Sequence, residues 1–103
     1  MPDTTDLSQA NEALRQALAQ PSLAARLITA VAGHLSAHSP QDELTPTGWG
    51  RALTTATIQT FARIPETPAV CAAAKAVAAL PPAFRGITRG EYALRLHSTA
   101  RGL

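Results

Sequence analysis

Apolar residues recur along this chain at helical spacing. Leu7, Ala10, Leu14 and Leu18 share one face while Asn11, Arg15 and Gln16 lie on others, which predicts an amphipathic helix over residues 6–19, closed by Pro21. Ser22 is placed to cap a second helix over 22–38, in which Ala24, Leu27, Ile28, Val31 and Leu35 form an apolar stripe. Ala25, Thr29, Gly33 and Ala37 add a row of small side chains that lets another backbone come close, so this reads as the central helix. Ser39-Pro40-Gln41-Asp42-Glu43 has turn chemistry and separates the first helical pair from the rest.

Thr45 followed by Pro46 fits an N-cap with proline at the first helical position. A third helix is predicted over 46–63, carrying Trp49, Leu53, Ile58 and Phe61, with Gly48 and Gly50 weakening its first turn. After Pro65 and a Glu66-Thr67-Pro68 turn, the alanine-rich run 69–80 predicts a fourth helix with Val70, Val77 and Leu80 as its stripe and Pro81-Pro82 as its stop. Thr88-Arg89-Gly90-Glu91 matches the capping-box pattern, so a last helix is predicted over 89–100, packing Tyr92 and Leu96, before Gly102. No segment alternates as a strand does, and no long period repeats. The expected fold is all-α, a compact single-domain bundle of about five short helices spanning 1–103.

Composition thins that bundle. The chain has 103 residues, enough for one core and too few for two, and although 46% are apolar, much of that is alanine. Trp49, Phe61, Phe84 and Tyr92 are its only large aromatics, which predicts a shallow core between closely approaching helices. The lone Cys71 has no disulfide partner and, among alanines, reads as a small buried hydrophobe, which favours a reducing compartment. The acidic, polar N-terminus does not resemble an export signal. The apolar stretch Ala69–Phe84, broken by Lys75 and two prolines, is too short to span a membrane. A cytoplasmic protein is expected. Eight arginines against one lysine, with abundant alanine, fit a GC-rich coding source such as bacteria or their phages and plasmids.

Charge divides the chain. Residues 1–50 hold five acids and two arginines, whereas residues 51–103 hold two acids and seven basic residues. Such asymmetry points to a macromolecular partner. Arg85, Arg89, Arg95 and Arg101 crowd the last stretch against the single acid Glu91, and arginine forks suit phosphate. Helix, Pro-Pro turn and arginine-bearing helix loosely follow a helix-turn-helix order, with a connection longer than usual. Arg89 and Arg95 are about 120° apart on a helix, so they do not make one stripe, and Arg95 is spaced to pair with Glu91.

Other chemistry is thinner. His34 and His38 lie four apart, the spacing of two imidazoles on one zinc, but two ligands are too few, and both suit a helix C-terminus as structural residues. Cys71 with Lys75 one turn on lacks the setting of a nucleophile, and no serine-hydrolase elbow, phosphate loop or dinucleotide glycine motif is present. No catalytic residue, metal site or cofactor is expected. Trp49, between two glycines, reads either as an anchor of the core or as a binding residue that a partner can approach closely.

Two functions follow as expectations. The first is a small non-enzymatic interaction or regulatory protein, of adaptor, homo-oligomeric regulator or inhibitor type. It binds a protein or nucleoprotein partner through Trp49 and the Asp42-Glu43 loop, with the C-terminal arginines matching an acidic or phosphate-lined partner. The second is a direct DNA- or RNA-binding regulator using Arg85, Arg89, Arg95 and Arg101. The modest net charge of +2 favours the first.

Overall fold

The computed structural model describes residues 22–103. Its helices are α1 (Leu23–Ala37), α2 (Pro46–Phe61), α3 (Glu66–Ala79) and α4 (Arg89–Arg101), and the one β-type pairing among the described residues is an isolated antiparallel bridge, Glu43–Thr88. The class is all-α with four helices here. The fifth expected helix, over 6–19, lies outside the described residues.

Side-chain caps start three of the helices. Ser22 Oγ accepts from the Ala25 N–H at 3.1 Å, and Thr45 Oγ1 accepts from the Gly48 N–H at 3.0 Å, with Pro46 at the first helical position. Thr88 Oγ1 accepts from the Glu91 N–H at 3.1 Å while donating its own proton to the Glu91 carboxylate at 3.0 Å. Each such cap contributes about 1 kcal/mol. α3 starts without one, at Glu66, three residues ahead of the predicted start at 69. Pro65 precedes it and Pro68 falls in its first turn, where the missing N–H of proline has no helical acceptor to lose, so the expected turn is helical. α2 ends at Phe61 rather than at 63.

α1 packs against all three other helices, most extensively α4. Its stripe is wide enough to do so, since Ala24, Ala25, Leu27, Ile28, Val31, Ala32 and Leu35 are all buried. Facing it, α4 buries Tyr92, Ala93 and Leu96, and the loop before α4 contributes Ile87, 1% exposed.

α2 and α3 reach α1 differently. Each buries a pair of alanines one turn apart, Ala52/Ala56 and Ala72/Ala76, and small side chains at the contact let backbones approach. Of the stripe expected on α3, Leu80 packs against the core, but Val70 is 59% and Val77 57% exposed, because a valine at the contact would hold the helix off. Ile58 on α2 and Phe84 are exposed as well. Cys71, expected to be buried, is exposed beside Val70 on the same outward side of α3. Of the small row on α1, only Ala25 is buried, so the close approach is supplied by the neighbours' alanines.

Candidate functional site

Two connections far apart in the chain form the floor of the site. Backbone bonds Leu44 N–H to Ile87 O at 2.9 Å, Arg89 N–H to Asp42 O at 2.9 Å and Gly90 N–H to Pro40 O at 2.8 Å clip the segment after α1 to the segment entering α4. Gly90 fits closely there: a Cβ would lie 3.1 Å from the Pro40 carbonyl oxygen and 3.2 Å from Pro40 Cβ, so the Pro40 segment would have to give way by a few tenths of an ångström. Ser39 takes a left-handed φ of 51° as the chain leaves α1, a conformation that costs a non-glycine residue about 1–2 kcal/mol. Gly86, at φ 87°, donates its N–H to Glu43 Oε1 at 3.0 Å.

The clip joins residues that sequence alone assigned to separate roles. Arg89 Nε donates to the His38 carbonyl at 2.7 Å, satisfying an acceptor left open at the C-terminal end of α1. Its guanidinium lies against Gly48 so closely that a Cβ at 48 would sit 2.6 Å from Nη1. Here opens a polar cleft of about 800 Å³, bordered by His34, His38, Asp42, Thr47, Arg51 and Arg89. His34 and His38 stack with ring centroids 6.4 Å apart, and His34 Nε2 shares a hydrogen bond with Gln59 Oε1 at 3.0 Å. Among the described residues no group of three or more histidine, cysteine or acidic side chains could hold a metal ion.

On the opposite side of the first turn of α2 lies an apolar groove of about 420 Å³, walled by Leu44, Pro46, Trp49, Leu80, Pro81, Ala83 and Tyr92. Trp49 is half-buried and packs against the core while meeting the Tyr92 ring edge-on, at 5.5 Å between centroids and 86° between planes. Trp49 therefore packs against the core and also lines the groove. Tyr92 is itself buried, and its hydroxyl donates to the Pro81 carbonyl at 2.8 Å, pinning the Pro-Pro segment as the far wall. Burial raises the Tyr92 pKa above the usual tyrosine value. Thr45 borders both the groove and the cleft, so the start of α2 is the ridge between them.

The four C-terminal arginines do not share a face. Arg89, Arg95 and Arg101 follow one another at intervals of six residues, which at 3.6 residues per turn distributes them about 120° apart around α4. Arg89 is committed to the cleft, and Arg85 is exposed in the preceding turn. Arg95 lies over the Phe84 ring, 5.0 Å from its centroid, instead of pairing with Glu91, whose carboxylate serves the Thr88 cap. Asp42 and Glu43 do occupy one exposed loop, as their sequence neighbourhood implies, but that loop lines the cleft and not the groove of Trp49. Arg51, Tyr92, Leu80 and Pro81 are the site residues that the sequence reading passed over; Arg51, three positions after Gly48 on the same side of α2, is the one with a legible signal.

Comparison with known proteins adds nothing to this geometry: no family model matches the chain, nor does any curated protein or any solved structure. No helix among the described residues is long and apolar enough to cross a membrane.

Proposed function

We propose that the protein is a non-enzymatic interaction protein, an adaptor or inhibitor, that seats a segment of a protein or nucleoprotein partner in the groove beside Trp49. The observation that carries this reading is the groove itself: an open apolar trough of about 420 Å³ with an aromatic pair in its wall. Tryptophan and tyrosine in such settings dominate binding energies because they bury large, stiff surfaces at small entropic cost. The partner segment carries an apolar anchor with carboxylates near it. Arg51 and Arg89 lie across the ridge in the cleft, and Arg95 lies over Phe84, the residue after Ala83 of the groove wall, which supplies positive charge on more than one side for such carboxylates. The spread of arginines around α4 speaks for this reading over direct nucleic-acid binding, which needs a basic face. A single exposed thiol fits a reducing, cytoplasmic setting.

Selection from a displayed peptide library tests it. Peptides retained by the wild-type protein and lost by Trp49→Ala should converge on a large apolar residue flanked by Asp or Glu. Convergence on basic flanks, or no selection dependent on Trp49, contradicts the reading. Light scattering on the same samples shows whether a second copy of the chain fills the groove instead.

A further inference from the structure

The polar cleft on the other side of the ridge lends that reading only the charge of Arg51 and Arg89, and its own chemistry is of a different kind. Two guanidiniums, Arg51 on α2 and Arg89 at the start of α4, and two imidazoles, His34 and His38 on α1, converge on about 800 Å³ of open space together with Thr47 and Thr55. Arg89 is held in place through Nε, which bonds the His38 carbonyl, so its position is set without using its two terminal amino groups. Two acids, Asp42 and Glu43, border the same cleft as counter-charges, and Glu43 Oε1 accepts the Gly86 N–H at 3.0 Å.

We propose that this cleft binds a phosphomonoester dianion, with Arg51 and Arg89 supplying two forks from two different elements and His34 and His38 lining the site beside them. Guanidiniums on two separate walls suit a phosphate, whose three terminal oxygens and double charge give each of them its own acceptors, better than a carboxylate with two oxygens and a single charge. The same group can arrive on a small free molecule or on a modified protein side chain, and the cleft recognises what the two have in common. This inference shares Arg51 and Arg89 with the partner reading but not Trp49, so phosphate binding and Trp49-dependent peptide binding test the two separately.

The glycines of α2 provide a matched pair for the test. A Cβ at Gly48 would lie 2.6 Å from Arg89 Nη1 and 3.2 Å from Thr45 Oγ1, so the guanidinium tip must swing out of its place, whereas a Cβ at Gly50 meets nothing within 4 Å. Both changes favour the helix. Binding of inorganic phosphate, phenyl phosphate and a short phosphoserine peptide is measured by calorimetry and by backbone amide shifts, for wild type, Gly48→Ala, Gly50→Ala and Arg51→Gln, with circular dichroism confirming that each variant folds. The expected result is saturable binding of phenyl phosphate with shifts centred on residues 47–51, weakened about tenfold or more in Gly48→Ala and Arg51→Gln and retained in Gly50→Ala. Tighter binding of the phosphopeptide assigns the phosphate to a protein, and equal binding of the small phosphates assigns it to a free molecule. Absence of saturable binding in the folded wild-type protein overturns the proposal, as does binding that ignores Gly48→Ala and Arg51→Gln. Equal affinity for a short oligonucleotide, lost in the same variants, overturns it in favour of a phosphodiester backbone.

Discussion

The two sides of the first turn of α2 are held together by different forces. On the groove side, Trp49 and Tyr92 are anchored in the core, and the far wall is fixed by the hydroxyl of that same tyrosine. On the cleft side, the walls are joined by backbone hydrogen bonds between two loops, and most of the side chains that border the space are exposed and polar. The groove is thus an extension of the core, and altering it disturbs the fold. The cleft is a set of separable polar groups on a backbone frame, so its chemistry can change while the fold stays.

That contrast breaks most visibly at Tyr92. Tyr92→Ala removes a buried ring, the edge contact to Trp49 and the bond to Pro81, and is expected to cost about 3–5 kcal/mol in chemical denaturation. A loss below about 1 kcal/mol would mean that the groove wall is not part of the core. On the cleft side the frame matters more than its side chains. Gly90→Ala should destabilise by roughly 1–2 kcal/mol despite the better helix propensity of alanine, because its Cβ crowds the Pro40 backbone.

Tyr92→Phe isolates the hydroxyl and should cost about 1 kcal/mol at neutral pH. Its pH dependence has a defined sign. Burial raises the folded-state pKa above the unfolded value, so the contribution of the neutral phenol is fully present below about pH 10 and is lost as pH rises from there through the folded pKa. The stability gap between wild type and Tyr92→Phe should therefore narrow in alkaline denaturation series; a gap that widens contradicts the burial of this group. The smallest effect is expected at Arg51→Gln, within about 0.5 kcal/mol of wild type, as befits a side chain exposed on the cleft.

How much of this was legible in sequence follows the same physical line. α1 was readable because large aliphatic residues mark its buried face, and the caps at Ser22, Thr45 and Thr88 were readable because capping is local chemistry. α3 was not. In an alanine-rich helix the valines look like the buried stripe, yet the contact with α1 favours the smallest side chains, and the valines face out. Ile87 sits in a loop with no periodicity to announce its burial. Cys71 followed the misread face. The acidic loop and the arginines were identified individually, but the clip between residues 40–44 and 87–90 is made of backbone bonds, which almost any side chains permit. Only Gly48 and Gly90 mark it, and only in retrospect of the contacts they allow.

The central claim is that the groove is a docking surface for an apolar segment with acidic flanks, and the chain carries its own probe, since Trp49 is its single tryptophan. The direct measurement is the Trp49 emission spectrum during titration with two synthetic peptides that share one leucine-centred core and differ only in having glutamate or lysine flanks. Saturable blue-shifting with the glutamate-flanked peptide, weakening with salt and absent with the lysine-flanked one, is the predicted result. An emission that responds to neither peptide, or to both alike, contradicts it.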